Sequence, residues 1–317
     1  MRILFAGTPP LAVPSLEKLA QELEVCAVLT APDAPSGRGR APCPSAVKQA
    51  ALALGIPALT PEKLDTEAIA AIRTLAPDLL VVVAYGKIFR AAFMDLFPQG
   101  GINVHPSLLP LYRGPSPISA AILAGDAETG VSVQKLAMKF DTGDILTQAR
   151  VPLDGSETTD SLTMFMAGLG ADLVCRVAEE MAAGHPPLAI PQDEARASYC
   201  RLVRKEDGII DWTEPASLIE RKVRAYDPWP RASTTLHGAS LLLLKASVHP
   251  DTLGSARAPG DIVAADGENG ILVQTGQGIL KVERLQLQFK KPTDWRSFLN
   301  GHPDLPGMHL GTNAGVI

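Results

Sequence analysis

Short apolar runs alternate with longer amphipathic stretches through the first half of the chain. Arg2–Ala6 predicts a strand, Leu11–Leu23 a helix and Val25–Thr30 a second strand. Ser45–Leu54 and Pro61–Leu75 carry helical spacing. Leu79–Tyr85 is apolar and β-branched, which suits a central strand buried on both faces. Ile102–His105 is another short strand. Alternation of this kind predicts an α/β fold: a Rossmann-like, mostly parallel sheet with helices on both faces, holding its ligands at the carboxyl ends of the strands. After Thr129 the pattern changes. Gly130–Leu136 and Ile145–Leu153 flank only the turn-rich Phe140–Asp144, as in a hairpin. Thr159–Ala183 then predicts a helix that Ser156 can cap.

His185-Pro186-Pro187 and Ile190-Pro191 cannot continue that helix, so Gly184–Cys200 reads as an ordered linker. Beyond it the pattern is mostly β. One helix, Glu214–Ala225, precedes short strands at Ala239–Ser247, Gly260–Ala264, Gly270–Thr275 and Gly278–Leu287, and the tail from Asn300 reads as loops. A small barrel or sandwich follows. The expected division is a catalytic domain over 1–184, a linker over 185–206 and a C-terminal domain over 207–317, in keeping with a length of 317 residues.

Composition bounds the function. Apolar residues make up 46% and charged residues 20%, which excludes a disordered chain. The net charge of −5 excludes a protein that coats nucleic acid by bulk charge. The acid excess lies in residues 1–184, with 19 acidic against 14 basic side chains, whereas residues 185–317 balance at 15 each. Four scattered cysteines without a C-x-x-C pair give no zinc-site pattern, and no metal is expected. The longest strongly apolar run, Leu79–Tyr85, is too short to span a bilayer, and the N-terminus lacks a signal-peptide pattern. A cytoplasmic monomer without membrane contact is the resulting expectation.

Several segments carry candidate chemistry. Phe5-Ala6-Gly7-Thr8-Pro9-Pro10 stands where a dinucleotide fingerprint would fall, but the G-x-G-x-x-G spacing is absent, so a tight strand-to-helix turn is the better reading. Asn103 and His105 leave one strand end on one face. As an isolated pair they would be a bonded amide and a core histidine. Followed at once by the stiff Pro106–Pro110 loop and Tyr112-Arg113-Gly114-Pro115, they look like an α/β active site whose loop could offer free backbone groups to a flat heterocycle. Asp141-Thr142-Gly143-Asp144 is either a simple Asx turn or a carboxylate that orients an imidazole or accepts a proton. The proline-rich Ala31–Ser45, with Arg38 and Arg40, reads equally as a surface loop or as a basic arm that orders on a phosphate-rich partner. Basic residues also cluster at Arg196–Lys205, Arg221–Arg231 and Lys281–Arg296, by default a solvated face and otherwise a nucleic-acid surface.

Taken together, Gly101–Ile118, Ala124–Val131 and Phe140–Ile145 resemble the folate-dependent formyltransferase superfamily through the pattern N-x-H-x-S-L-L-P…D-T-G-D. Phe5–Pro9, Ser36–Arg40, Val82–Gly86, Ile210–Trp212 and Arg224–Pro230 extend the resemblance to its methionyl-tRNA formyltransferase family over nearly the whole chain. The resemblance implies a Rossmann-like catalytic domain, an oligonucleotide-binding-type C-terminal barrel, and formyl transfer from 10-formyltetrahydrofolate to the α-amine of methionyl initiator tRNA in translation initiation. It implies Asn103, His105 and Asp141 as catalytic residues. It implies Tyr85, Gly86, Ile88, Ser107, Leu108, Leu109 and Pro110 as folate contacts, and Arg38, Arg40 and Lys205 as tRNA contacts. Pro106 departs from the tRNA-directed pattern and is familiar from the glycinamide ribonucleotide branch. In this reading Asn103, together with His105 when that ring is protonated, forms an oxyanion hole, while Asp141 orients the imidazole and favours its charged form or takes the amine proton. The competing readings are a formyltransferase for a ribonucleotide or amino-sugar nucleotide, a non-catalytic tRNA-binding module, and a dehydrogenase.

Overall fold

The computed structural model describes residues 1–36, 41–250 and 257–311. The chain forms two compact units that interleave in sequence. The first takes Met1–Pro117, Glu128–Pro152 and Leu162–Cys200, and the second takes Ile118–Ala127, Leu153–Ser161 and Arg201–Ile317.

In the first unit β1 (Arg2–Gly7) leads through a 3-10 turn into α1 (Val13–Glu22), then β2 (Glu24–Leu29). Where the sequence suggested only a loop, β3 (Ala34–Ser36) and β4 (Ala41–Cys43) pair antiparallel. Next come α2 (Ala46–Ala53), β5 (Ala58–Leu59) and α3 (Thr66–Thr74). The last is shorter than its apolar pattern suggested, because Asp65 caps it by accepting from the Ala68 N–H at 3.0 Å. β6 (Leu79–Val83), α4 (Ala91–Met94), β7 (Gly101–His105) and α5 (Pro117–Ala124) follow, then β8 (Glu128–Lys135), β9 (Ile145–Pro152) and α6 (Thr159–Ala182).

The sheet order is β5-β2-β1-β6-β7-β8-β9. Its first five strands run parallel, and β8 and β9 add antiparallel as the expected hairpin. The chain builds outward from β1 through β2 to β5, then reverses to β6 on the other side of β1. That reversal opens a crevice at the carboxyl ends of β1 and β6, with the end of β7 next to it. Every residue of β6 is buried, as its unbroken apolar run requires.

One face of the sheet packs Leu4, Ala6, Leu29, Leu80 and Val82 against a ladder of rings, Tyr85, Phe89, Phe93 and Phe97, with centroids 5.0 to 5.5 Å apart. Each such ring contributes about 1.5–3 kcal/mol by burial. At 24 residues α6 is apolar and long enough to cross a bilayer, although polar residues interrupt its apolar run. It buries Leu162, Met166, Ala171, Val174 and Val177 instead. Its cap is Thr158, whose hydroxyl accepts the Ser161 N–H at 3.2 Å, whereas the Ser156 N–H is bound to Asp154.

In the second unit α7 (Ala216–Ala225) precedes β10 (Ala232–Leu236), β11 (Ala239–His249), β12 (Ile262–Asp266), β13 (Gly270–Gln274) and β14 (Ile279–Leu287), with β15 (Thr293–Asp294) and α8 (Trp295–Asn300) at the end. These strands form an antiparallel sheet in the order β10-β11-β14-β13-β12, with β15 paired to β14. The tail is not merely loop. Ile262 N–H donates to the Met308 carbonyl at 2.8 Å and Leu310 N–H to the Gly260 carbonyl at 2.8 Å, while Gly311 N–H donates to the Thr235 carbonyl at 3.0 Å. Residues 308–311 thereby join the β12 edge to the β10 edge and close the sheet into a barrel. Closure removes two free edges that would otherwise template aggregation.

Candidate active site

Asn103 and His105 occupy the carboxyl end of β7, as their i, i+2 spacing predicts. Asp141 stands on the turn that joins β8 to β9, in a left-handed conformation at φ 55°. The structure brings all three together. His105 Nδ1 lies 3.6 Å from Asp141 Oδ1, and Asn103 Nδ2 donates to the same oxygen at 3.4 Å. The other carboxylate oxygen accepts the Gly114 N–H at 2.8 Å, and Gln134 Nε2 donates to Oδ1 at 3.1 Å. Glycine is required at two places around this cradle. A Cβ on Gly143 would fall 1.7 Å from the Lys135 carbonyl oxygen, and one on Gly114, at φ 113°, would fall 2.3 Å from that of Cys200.

His105 is 4% exposed, and its Nε2 lies 2.9 Å from the Tyr112 carbonyl. A carbonyl only accepts, so Nε2 carries a hydrogen, and Nδ1 is the nitrogen that faces Asp141. Burial pushes the imidazole pKa below its usual value, opposed by the Asp141 carboxylate and by the bond to Tyr112. Burial therefore works against the charged form that the Asp141 carboxylate favours, and the ring sits where a proton gained at Nδ1 would face that carboxylate. Asn103 spends one N–H on a long bond to Asp141 and keeps the other.

Sequence reasoning missed three residues. Arg113 is fully buried; its guanidinium donates to Gln192 Oε1 at 2.8 and 3.0 Å, to Glu194 at 2.7 and 3.0 Å and to the Tyr199 hydroxyl at 3.0 Å. These bonds, Glu194 first, hold its charge still more firmly and keep the Glu194 carboxyl below its usual range. Gln192 Nε2 in turn lies 2.9 Å from the Asp141 carbonyl, 2.7 Å from that of Gly143 and 3.2 Å from Gln134 Oε1. The only available signal was the arginine inside Tyr112–Pro115; Gln134 and Gln192 had none.

The expected folate contacts divide. Ser107 is fully buried, and its carbonyl accepts the Ser132 hydroxyl at 2.6 Å. Leu109 N–H donates to Ser132 Oγ at 3.1 Å, its carbonyl accepts Gln148 Nε2 at 3.0 Å, and the Leu108 and Pro110 carbonyls accept the Leu111 and Ser198 N–H groups. The loop is braced by these bonds, none of which uses the Leu108 N–H. Tyr85 belongs to the core, 5% exposed, with burial pushing its phenol pKa up to about 12. Gly86, at φ 78°, and Ile88, 60% exposed, lie open after the end of β6. Arg38 and Arg40 lie outside the described residues. Lys205 is exposed in the second unit, at the rim of a cavity of about 330 Å³ that Pro230, Gln286 and Phe289 also line.

Fold and site define an α/β group-transfer enzyme with an amide donor and a His–Asp pair at the carboxyl edge of its sheet. Residues 1–177 match the formyl transferase family, and residues 202–303 match the formyl transferase C-terminal domain. The chain is similar to the methionyl-tRNA formyltransferases of Treponema denticola, 46% identical over 96% of this chain and 98% of that one, and of Roseiflexus castenholzii, 48% identical over 93% and 95%. It belongs to the methionyl-tRNA formyltransferase family. Among solved structures, an N-formyltransferase of Helicobacter canadensis shares the fold with a TM-score of 0.65 and 17% identity over 88% of this chain and 98% of that one. HypX of Aquifex aeolicus, solved with tetrahydrofolic acid, does so with a TM-score of 0.58 and 17% identity over 96% of this chain and 48% of that one, so this chain spans about half of HypX.

Proposed function

We propose that the protein transfers the formyl group of 10-formyltetrahydrofolate to the α-amino group of methionyl initiator tRNA. The observation that carries this reading is the convergence of Asn103, His105 and Asp141 at the end of β7 in a chain of this family. Folate, when bound, supplies a formyl group already activated on nitrogen. The open backbone of Gly86 and the exposed Ile88 beside the β6 end suit a flat heterocycle with an apolar face. Ser107, Leu108, Leu109 and Pro110, on the braced loop after β7, and Tyr85, in the core after β6, complete the proposed folate-binding residues.

The chemistry needs one proton moved and one oxygen stabilised. The α-amine attacks in its neutral form, which near-neutral pH supplies, since such groups titrate near 7.7–8.0. As the new C–N bond forms, the amine nitrogen must lose a proton and the departing nitrogen must gain one. His105 Nδ1 is the acceptor, and the proton that reaches it turns the contact with Asp141 into an ion pair. Returning that proton to the departing nitrogen balances the reaction with no net proton consumed. Asn103 offers its remaining N–H where negative charge builds on the formyl oxygen, a contact typically worth about 2.7–4 kcal/mol. Arg38, Arg40 and Lys205 are assigned to the tRNA.

The test is formylation by purified protein, given 10-formyltetrahydrofolate and methionine-charged initiator or elongator tRNA. Formylated initiator without formylated elongator supports the reading. Transfer to an aminated ribonucleotide or sugar nucleotide instead would overturn it.

A further inference from the structure

Residues 178–201 fall between the two matched domains, yet their last stretch, through Cys200, belongs to the first unit. Within that stretch, main-chain bonds tie residues 198–200 to the loop after β7. Arg113 N–H donates to the Ser198 carbonyl at 2.9 Å, and Cys200 N–H donates to the Arg113 carbonyl at 2.8 Å. Arg113 stands between two catalytic supports. Tyr112 before it accepts from His105, and Gly114 after it donates to Asp141.

From these contacts we infer that the interdomain segment is part of the catalytic centre, and that Gln192 is a positioning residue that holds the Asp141 turn in register with Asn103 and His105. The inference rests on the formyl-transfer reading. Three observations carry it. The Gln192 carboxamide oxygen is fixed by two N–H groups of a fully buried arginine. Its nitrogen therefore has one orientation, toward the Asp141 and Gly143 carbonyls on either side of Thr142. Asp141 is a non-glycine residue at φ 55°, a conformation that persists only where its surroundings over-determine it. Gln192 grips its backbone while Gly114 and Gln134 grip its carboxylate. Removing the backbone grip frees the turn to move the carboxylate by the ångström or so that separates a productive arrangement from an idle one.

The test compares Gln192→Met and Gln192→Glu with the wild-type full chain. Methionine keeps the length and loses every hydrogen bond. Glutamate keeps the acceptor for Arg113 and turns toward the Asp141 and Gly143 carbonyls and Gln134 Oε1 a charged oxygen that cannot donate. Both are expected to lower kcat for methionyl-tRNA formylation about a hundredfold, with KM for tRNA and for folate within about threefold of wild type. Gln192→Glu separates positioning from scaffolding: a melting temperature near wild type together with the kcat loss supports the inference. Gln192→Glu that folds and retains kcat overturns it, because the segment then serves only to seat Arg113. Should Gln192→Met fail to fold, the glutamate variant alone decides. A wild-type protein that formylates no methionyl-tRNA would sink the functional reading itself, which is a different result from an active wild type with active Gln192 variants.

Discussion

Asp141→Asn removes a charge from the site while keeping the side-chain shape, and its cost can be worked from the geometry. His105 Nδ1 and Asp141 Oδ1 are 3.6 Å apart, in a pocket where the side chains are 6% and 12% exposed. At an effective dielectric of about 20, the attraction between an imidazolium and a carboxylate at that separation is about 4–5 kcal/mol. Burial weighs against the charged ring in the resting enzyme, whereas the state with the amine proton on Nδ1 uses the attraction in full. The substitution therefore raises the transition state more than the ground state. Either orientation of the new amide also turns an N–H toward a donor, Gly114 N–H in one case and Gln134 Nε2 in the other. If between half and all of the attraction is lost, kcat falls between about thirtyfold and about five-thousandfold. Single-turnover formylation of methionyl-tRNA, with the folded fraction fixed by thermal melting, measures the step directly, and KM for folate should hardly move. A kcat within about threefold of wild type, a loss below 1 kcal/mol, would refute proton transfer through this pair.

His105→Gln should flatten the pH dependence of stability. A histidine whose folded pKa is depressed binds more protons when unfolded, so its contribution is complete above the ordinary value of about 6.5 and is lost as the pH falls toward the lower folded value. Melting temperature is thus expected to drop more for wild type than for the variant between pH 7.5 and pH 5, endpoints chosen to bracket about 6.5, and parallel curves would contradict the burial argument. Gly143→Ala drives a methyl into the Lys135 carbonyl and should cost at least about 2 kcal/mol of stability along with most of kcat, read by denaturant unfolding and formylation. In filter binding of tRNA, Lys205→Ala and Lys290→Ala should each lower the slope of log affinity against log salt by about 0.7–0.9. Arg224→Ala should lower the melting temperature and leave that slope alone; equal slopes in all three variants would remove the lysines from the interface.

The parallel sheet was legible because burial on both faces leaves an unbroken apolar signature, as at Leu79–Val83, and the hairpin because β8 and β9 flank a turn too short for a crossover. The Asn103–His105 pairing on one face followed from strand geometry alone. What remained hidden depends on partners distant in sequence. β5 is two residues long and exists because Pro57 and Leu59 offer carbonyls to the N–H groups of Val28 and Thr30. The tail closes the barrel through residues 260, 262 and 235, which no local pattern in 308–311 announces. Gln192 is 79 residues from Arg113, and a lone glutamine in a proline-rich stretch carries no periodicity. The approach of Asp141 to His105 was hidden for a similar reason: a strand end and a distant turn share no local pattern, so only the family resemblance suggested it.

The charge balance looks different once partners are known. The C-terminal bases were candidates for a tRNA surface as clusters, yet many are neutralised within their own unit. Arg201 pairs with Asp207, Lys222 with Glu214, Arg224 with Glu220, Arg231 with Asp227 and Lys245 with Glu283. Arg221 spends its guanidinium on the Leu123 and Ala124 carbonyls. These cations hold the fold, and placing a phosphate on them would first require breaking a pair. Among the described residues of the second unit, Arg204, Lys205, Arg257, Lys281, Arg284, Lys290, Lys291 and Arg296 enter no ion pair; of these, Lys205 lines a cavity with the 96% exposed Phe289, which Lys290 and Lys291 follow in sequence. A surface of a few unpaired lysines beside an open aromatic ring attracts a polyanion without a large basic field. It therefore suits an enzyme that must release each tRNA after one transfer, since each phosphate contact adds to affinity and to its steep dependence on salt.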